Sequence, residues 1–295
     1  MSKAYIGTSG FSYPHWGEGV FYPQGLPQAK WFEYYCQHFK TVELNVSFYR
    51  LPKKEVFAGW RKTAGKNFTF SIKGSRYITH IKRLKDCHEA VERFFESVEG
   101  LRVRVPLFSE TRAEAEKKLK LETLSLSDPP IQKSDNHPKR YSTADQCSSK
   151  RVPLPCSDVV LWQLPPGFKA NPERLEEFLK ILPKEWRQAF EFRHESWLND
   201  EVFKLLKSFK GAVVFQDYPD WPRTEEITAD FIYLRFHGKT GLYSSCYSKK
   251  DLKAWAEKIN QWKRKRLDAY VYFNNDALGY AVENAKALGA LVKSA

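Results

Sequence analysis

The sequence contains few cysteines, and they do not occur in close pairs. The five cysteines are Cys36, Cys87, Cys147, Cys156 and Cys246, and no Cys-x-x-Cys motif is present. An odd number without close pairs argues against a disulfide framework and against a zinc ribbon, and favours free thiols. Long apolar runs are also absent. No stretch of about 18 consecutive apolar residues occurs, so the sequence predicts no membrane span.

The amino terminus lacks the features of a secretory signal. The segment MSKAYIGTSG has no basic region followed by an apolar one. Together with the absence of a membrane span, this pattern predicts a cytoplasmic protein that does not associate with membranes.

Apolar residues and positive charge are both plentiful. Hydrophobic residues make up 42% of the 295 positions and aromatic residues 15%, which is enough for a large core. The formal net charge is +13, and such a surface attracts polyanions without specificity. The basic run at 263–266 ends the helix-like segment 251–266, whose apolar residues form one stripe. A solvated helix end therefore explains this run better than a dedicated nucleic-acid patch.

Short apolar segments alternate with helical patterns along most of the chain. Eight segments are rich in β-branched and aromatic residues, namely 5–10, 41–45, 68–75, 159–166, 189–194, 212–217, 231–238 and 268–275. Strands that alternate with helices indicate parallel β-α units, and eight such units predict a single (β/α)8 TIM barrel. A doubly wound open sheet is the alternative, but no Gly-x-Gly-x-x-Gly motif follows the first segment.

One long polar stretch does not fit the β-α pattern. Residues 101–158 contain tandem prolines, many serines and lysines, and little apolar periodicity. We interpret them as an insertion between the third helix and the fourth strand, which leaves a length close to the ~250 residues of a typical barrel. Residues 1–295 then form one barrel domain, and we expect 101–158 to be poorly ordered because this composition buries little surface.

Polar side chains collect at the carboxyl ends of the predicted strands, where barrel enzymes build their active sites. Several recur at alternate positions, such as Glu43 with Asn45, and this period of two places them on one strand face. The predicted catalytic residues are Glu43, Glu191, Asp217 and His237. The predicted substrate-binding residues are Asn45, Lys73, His80, Gln163, Arg193, Arg235, Tyr243, Asn274 and Asn275.

Several stretches together resemble the YecE-like family, also called domain of unknown function seventy-two. The stretches are IGTSGFSYPHWGEGVFYP, YYCQHFKTVELNVSFYRLP, FSIKGSRYITH, LWQLPPGF, AFEFRHESW, DYPDWP, ADFIYLRFHG and YVYFNNDALGYAVENA. They cover essentially the whole chain outside 101–158. The resemblance implies a TIM-barrel fold and, since the family has no assigned reaction, leaves the chemistry open.

The predicted mouth contains equal numbers of carboxylates and cations. Arg and Lys side chains there suit a phosphate or carboxylate ligand, and barrels often bind phosphate in loops such as HGKTG at 237–241. A metal site would normally have unpaired carboxylates or imidazoles, so a divalent metal is the less favoured option and no cofactor is assigned. The sequence favours a hydrolase or lyase acting on an anionic or sugar-containing substrate. A nucleic-acid-binding or repair-type barrel and a small-ligand binder without turnover are the alternatives, and the oligomeric state is not predicted.

Overall fold

Eight parallel strands surround the centre of the molecule in the computed structural model, which describes residues 2–102, 158–239 and 241–292. Their hydrogen-bonded order is β1-β8-β7-β6-β5-β4-β3-β2, so neighbours in sequence are neighbours in space. The strands are β1 Ala4–Thr8, β2 Thr41–Leu44, β3 Thr69–Lys73, β4 Val159–Gln163, β5 Arg187–Glu191, β6 Ala212–Asp217, β7 Phe231–Phe236 and β8 Asp268–Phe273.

The sheet closes between β1 and β2 at their carboxyl ends. Ser9 forms an isolated parallel bridge with Glu43, and the Gly10 amide donates a 2.8 Å hydrogen bond to the Glu43 carbonyl. Gly7 permits this close approach, since a Cβ there would lie 2.5 Å from the Thr41 carbonyl oxygen. The closure point therefore brings Glu43 into the barrel mouth.

Helices pack around the outside of the strands. They are α1 Trp31–His38, α2 Val46–Tyr49, α3 Lys54–Ala64, α4 His88–Val98, α5 Pro172–Ile181, α6 Asp200–Ser208, α7 Lys249–Arg264 and α8 Tyr280–Leu291. Single helical turns occur at Pro14–Trp16, Gln28–Lys30, Tyr77–Ile81, Glu99–Arg102, Glu195–Trp197 and Ala277–Gly279. The predicted apolar stripe of α7 is buried at Leu252, Ile259 and Trp262, and a capping box of Ser248 and Asp251 begins the helix. The link from β6 to β7, residues 218–230, contains no helix.

The barrel interior is filled by side chains from alternate strand positions. Its apolar layer comprises Val159, Leu161, Ala189, Ala212, Val214, Phe231, Tyr233, Tyr270 and Tyr272. Residues of the opposite parity, such as Val160, Phe190 and Phe215, pack into the larger core beneath the helices. This alternation leaves the next interior position on each strand to face the mouth.

Arg61, a buried residue of α3, contacts the first and the last residue of the predicted insertion. Its Nε donates to the Leu101 carbonyl at 2.7 Å, and its Nη2 pairs with the Asp158 carboxylate at 2.7 Å. Asp158 also accepts a 2.7 Å hydrogen bond from the Phe70 amide in β3. The chain thus leaves the barrel after α4 and re-enters before β4 at one anchored place.

The predicted (β/α)8 barrel is confirmed, with the insertion between the third helix of the barrel units, α4, and the fourth strand. The expected poor order of 101–158 concerns residues that lie almost entirely outside those described, so it stays a prediction. Within the described ranges, no helix has the length and apolar character that crossing a bilayer requires.

Candidate functional site

A buried arginine at the barrel mouth pairs with carboxylates from two other strands. Arg235, near the end of β7, is 1% exposed. Its Nη1 donates to Glu191 Oε2 at 2.5 Å, and its Nη2 donates to Glu43 Oε1 at 2.8 Å. Ser9 Oγ lies 3.3 Å from the same Nη2. Both terminal nitrogens of Arg235 are therefore engaged by the protein.

The Glu43 carboxylate is held by two side chains of β7 and by the residue that follows β1. Besides Arg235, its carboxylate accepts hydrogen bonds from the Ser9 hydroxyl and from Tyr233 Oη, the latter at 2.7 Å. The Tyr233 hydroxyl also lies 2.5 Å from Ser71 Oγ on β3. Since both Glu43 oxygens have partners and the side chain is fully buried, the carboxylate is fixed in one orientation.

Glu191, the last residue of β5, pairs with two arginines. Its Oε2 accepts from Arg235, and its Oε1 forms an ion pair with Arg193 Nη2. The Arg193 guanidinium carbon lies 3.3 Å from the centroid of the Trp221 ring, a cation–π contact with the β6–β7 link. The Arg193 side chain is 8% exposed, and its buried Nε has no hydrogen-bond partner among the described residues, so this edge of the guanidinium is left unsatisfied by them.

The two arginines determine the charge state of Glu191. Burial would raise the pKa of this carboxyl group, but Arg193 and Arg235 outweigh burial and hold the pKa well below its usual range. For Arg235, burial would lower the pKa, yet Glu191 and Glu43 raise it further above its ordinary value. Both groups are therefore charged across the physiological pH range.

His237 follows β7 and is fully buried beside this network. Burial, followed by the charge of Arg235, lowers the pKa of His237 well below its ordinary value, so the ring is neutral. Asn274 Nδ2 lies 3.2 Å from His237 Nδ1. With that amide nitrogen as donor, the ring proton is on Nε2, which lies 3.8 Å from Glu191 Oε1 and has no hydrogen-bond partner within the described ranges.

Lys73, at the end of β3, is the third cation of the mouth. Its Nζ lies 4.4 Å from the centroid of the Phe48 ring, and it forms no ion pair with any described residue. Burial, then the neighbouring Arg235, lowers the pKa of Lys73 to about 8, although Glu191 and Glu43 oppose this shift. The cluster formed by Glu43, Lys73, Glu191, Arg193 and Arg235, here called the mouth cluster, thus holds three cations and two carboxylates.

His80 lies at the edge of the mouth cluster, in the helical turn after β3. Its ring centroid is 5.0 Å from that of Phe48, and Thr79 Oγ1 lies 2.9 Å from its Nδ1. Burial lowers the pKa of His80 to about 4, and the nearby charges of Lys73, Arg76, Arg193 and Arg83 contribute. A neutral imidazole surrounded by four cations marks this side of the mouth as strongly electropositive.

Other predicted site residues lie around the mouth cluster. Asn45 donates to Ser9 Oγ at 2.9 Å, and Gln163 is the strand neighbour of Glu191 on β4. Tyr243 lies over the mouth with its ring centroid 5.8 Å from that of His237, and it is 39% exposed. These three side chains border the cluster without joining its ion pairs.

Two predicted residues lie away from the mouth cluster. On β6 the position that faces the barrel interior is Gln216 and not Asp217. Asp217 faces the surrounding helices near Tyr247 and Trp255, where burial raises its pKa. Asn275 is buried and donates 2.9 Å hydrogen bonds to the Ser245 carbonyl and to Asn284 Oδ1 of α8. Its side chain therefore joins β8 to a loop and a helix instead of facing a ligand.

The predicted catalytic and substrate-binding residues leave out four side chains beside the mouth cluster. Ser9 and Tyr233 donate to Glu43, Ser71 contacts Tyr233, and Trp221 covers Arg193. The alternation of strand residues could identify two of them. Ser71 lies two residues before Lys73 and Tyr233 lies two before Arg235, so each shares a strand face with a predicted site residue. No such signal identifies Trp221, which belongs to a loop.

The donor set of the mouth is poor in metal ligands. Among residues 2–102, 158–239 and 241–292, no three His, Cys, Asp or Glu side chains are grouped in a way that could hold a metal ion. The two mouth carboxylates are instead paired with arginines.

Solved structures with the same fold exist. A DUF72 family protein from Thermotoga maritima MSB8 matches with a TM-score of 0.71 and 26% sequence identity, covering 99% of this chain and 100% of that one. A DUF72 family protein from Enterococcus faecalis V583 matches with a TM-score of 0.69 and 18% identity, covering 99% of this chain and 96% of that one. The second likeness shows the fold alone.

Sequence comparison leads to the same family. The UPF0759 protein YunF of Bacillus subtilis is 22% identical over 96% of this chain and 92% of its own length. The UPF0759 protein YecE of Escherichia coli K12 is 33% identical over 34% of each chain. The family model described as "Protein of unknown function DUF72" matches residues 5–124 and 154–295 of this chain. The predicted resemblance is therefore confirmed, and the chain belongs to the DUF72 family.

Proposed function

We propose that this protein is an enzyme, a hydrolase or lyase, that binds an anionic substrate at the carboxyl-terminal mouth of the barrel. The observation that carries the proposal is the excess of positive charge in the mouth cluster, which has three cations and two carboxylates. An unbalanced charge in a half-buried site is costly unless a counter-ion accompanies it. A phosphate or carboxylate group of the substrate supplies that counter-ion.

Arg193 and Lys73 are the cations that keep hydrogen-bonding capacity for a ligand. Arg193 has a buried Nε without a hydrogen-bond partner, and Lys73 has no acidic partner among the described residues. Both terminal nitrogens of Arg235 are engaged by Glu43 and Glu191, and the residue is 1% exposed, so we assign it a positioning role. In this account an anionic group binds between Arg193 and Lys73, where a planar guanidinium and an ammonium both donate hydrogen bonds.

Hydrogen-bond donation to the reacting oxygen falls to His237 in this account. Glu191 is held ionised by two arginines and Glu43 has donors on both oxygens, which makes both carboxylates poor general acids. His237 is neutral, and its Nε2 has no hydrogen-bond partner in the part of the chain that the structure describes. That nitrogen can donate to a substrate oxygen as negative charge develops there.

The aromatic residues of the mouth support an anion more than a stacked sugar. The Trp221 ring is covered by Arg193 at 3.3 Å, and Lys73 lies over Phe48 at 4.4 Å, so each ring has one face occupied by a cation. Tyr243 is the exposed ring next to His237 and is the candidate to border a ligand.

Calorimetric titration with inorganic phosphate at constant ionic strength tests the proposal. We expect one phosphate per chain, and we expect Arg193→Ala to weaken binding by at least about tenfold because a charged hydrogen bond contributes roughly 1.5–3 kcal/mol. Arg264→Ala removes the same charge at the carboxyl end of α7 and is the matched control. Equal phosphate affinity of Arg193→Ala and Arg264→Ala would refute anion binding at the mouth.

A second candidate function is binding of single-stranded nucleic acid at the rim of the mouth. Arg76 and Arg83 are exposed, form no ion pair with a described residue, and influence His80 electrostatically. Tyr49, the last residue of α2, and Tyr77, in the helical turn after β3, are 79% and 49% exposed. Cations interspersed with exposed aromatic rings suit a phosphate backbone with stacked bases.

Fluorescence anisotropy with a labelled oligothymidine separates this function from non-specific attraction by the net charge. We expect the double variant Arg76→Ala, Arg83→Ala to lower the slope of log affinity against log salt by about 1–2. The control Lys265→Ala, Arg266→Ala removes two charges after α7 and should leave the slope nearly unchanged. An identical effect of both double variants would contradict a binding surface at the rim.

A further inference from the structure

We propose that Lys73 is a nucleophile that forms an imine with an aldehyde or keto group of the substrate, which would make the reaction that of a lyase. This inference rests on the proposed function and specifies its reaction class. It comes from the position of the Lys73 amine within the mouth cluster and from the way in which the neighbouring carboxylates are occupied.

The carboxylates of the mouth are not available to Lys73. Glu43 receives hydrogen bonds from Ser9, Tyr233 and Arg235, and Glu191 pairs with Arg235 and Arg193. Lys73 itself has no ion-pair partner among the described residues. The amine is thus kept in a cationic, half-buried site without the acidic partner that would hold its proton.

Lys73 is also held in a fixed position. The Ser47 hydroxyl donates to the Lys73 carbonyl at 2.6 Å, and the amide of the next residue, Gly74, donates to the Leu161 carbonyl at 2.8 Å. The Lys73 Nζ then lies over the Phe48 ring. These two backbone hydrogen bonds fix the end of β3 and direct the amine toward the mouth. A nucleophile needs such a fixed position because it must meet its substrate in one geometry.

The electrostatic surroundings of Lys73 favour loss of its proton. Burial, followed by the charge of Arg235, lowers its pKa to about 8; Arg193 adds to this effect, while Glu191 and Glu43 oppose it. At pH 7 roughly a tenth of such an amine is neutral, compared with far less than a hundredth for an ordinary lysine. Burial and neighbouring cations are the established means of activating a lysine for imine formation.

The chemistry needs no added redox partner. The amine lone pair attacks the carbonyl carbon while the carbonyl π electrons move to oxygen, which takes up the proton that the attacking nitrogen loses and gives a carbinolamine. That hydroxyl group takes up one proton from solvent and leaves as water, so amine, carbonyl and one proton give a protonated imine and one water. The cationic imine then accepts the electron pair of an adjacent carbon–carbon bond that breaks, so one fragment leaves as carbon dioxide or a carbonyl compound and an enamine remains. The enamine carbon takes up a proton, and hydrolysis of the resulting imine by one water releases the product and regenerates Lys73. His237 Nε2 is the neighbouring donor for the carbonyl oxygen, and Arg193 binds the anionic group.

Reductive trapping tests the inference on the wild-type protein. The protein is incubated with pyruvate, reduced with sodium cyanoborohydride, digested and mapped by mass spectrometry. We expect Lys73 to be labelled at least about tenfold faster than exposed lysines such as Lys204, with a rate that rises with pH to a midpoint near 8. Lys73→Arg and Lys73→Met should both lose the fast phase, and their melting temperatures report whether the barrel remains folded. Labelling of Lys73 no faster than Lys204, or with a midpoint above about 10, would overturn the proposal.

Acetaldehyde, a carbonyl without an anionic group, separates this inference from the proposed function. If phosphate binds but neither pyruvate nor acetaldehyde labels Lys73 rapidly, the imine proposal fails alone. If acetaldehyde labels Lys73 rapidly while phosphate does not bind and pyruvate shows no advantage, anion binding fails and the nucleophile stands. Arg193→Ala should slow labelling by pyruvate and leave labelling by acetaldehyde nearly unchanged.

Discussion

Arg235 contacts both carboxylates of the barrel mouth, and this dual contact determines which residues can meet a substrate. Its two terminal nitrogens donate to Glu43 and Glu191, and all three residues are at most 1% exposed. A guanidinium in this position organises the mouth but has no free terminal nitrogen for a ligand. The anion-binding role that the sequence suggested for Arg235 therefore fits Arg193 better.

Replacing Arg235 should destabilise the fold. We expect Arg235→Ala to lower the free energy of unfolding by roughly 3–5 kcal/mol, because two buried carboxylates lose their partner. Arg235→Lys should also be destabilised, since one ammonium cannot match two carboxylates bidentately. Urea denaturation measures both values. Wild-type stability in Arg235→Ala would show that the buried pairs contribute nothing.

The acid stability of the protein should depend on Glu191. The pKa of this carboxyl group is lower in the folded chain than its unfolded value of about 4.3, so ionised Glu191 stabilises the fold above that pH. This contribution is lost as the pH falls toward the folded pKa. We expect the wild-type free energy of unfolding to decline steeply below about pH 5 and Glu191→Gln to show a shallower decline.

Thermal or urea unfolding between about pH 6 and pH 3 measures this dependence. Glu257→Gln, on the exposed face of α7, is the matched control and should keep the wild-type slope. A Glu191→Gln slope equal to that of the wild type would show that Glu191 does not titrate differently in the folded and unfolded chains.

At the scale of the element, strand parity explains which site residues could be predicted. On β7, Arg235 is a charged residue between two apolar neighbours, so it could be assigned to the interior from the sequence. The segment of β6, AVVFQD, is apolar up to its last two residues, and nothing in it indicates which alternate residues face the barrel interior. Gln216 thus occupies the interior position that the sequence assigned to Asp217. The helix-free link of 218–230 also brings Trp221 to Arg193, a tertiary contact that no periodicity encodes.

Gly74 after β3 should tolerate no side chain. A Cβ there would clash with the ring of Trp162, which is fully buried and held by a 2.8 Å hydrogen bond from its Nε1 to Gln188. We expect Gly74→Ala to cost roughly 1–3 kcal/mol of stability. Gly59, in the middle of α3, has no atom within 4 Å of its Cβ position, so Gly59→Ala is the control and should stabilise by about 0.5–1 kcal/mol. Equal melting temperatures of the two variants would contradict this packing.

At the scale of the whole molecule, the sequence predicted eight strands and the insertion because both depend on local composition. It could not predict how the ends of the insertion are held, since Arg61 contacts Leu101 and Asp158 only after α3 has packed. Long-range ion pairs of this kind have no local signal. The anchored ends explain how a barrel can carry a long insertion at this site.

Excision of the insertion should leave the barrel folded. Replacing 104–155 with about eight glycine and serine residues shortens the loop, which we expect to stabilise the fold by roughly 1–2 kcal/mol through the lower cost of loop closure. Arg61→Ala in the same background should lose roughly 3–5 kcal/mol, since the buried Asp158 carboxylate then loses its ion pair with Arg61. Urea denaturation compares the three proteins. An excised chain that fails to fold would show that 104–155 supplies part of the barrel's stability.

Crystallography with selenate shows whether the mouth binds an anion between Arg193 and Lys73. Crystals grown in selenate allow the anion to be located by the anomalous scattering of selenium. We expect the strongest selenium peak within hydrogen-bonding distance of the Arg193 guanidinium and the Lys73 amine, and we expect this peak to vanish in Arg193→Ala crystals. Selenate bound only on the outer helices, with none in the mouth at a concentration that fills those outer sites, would contradict the account.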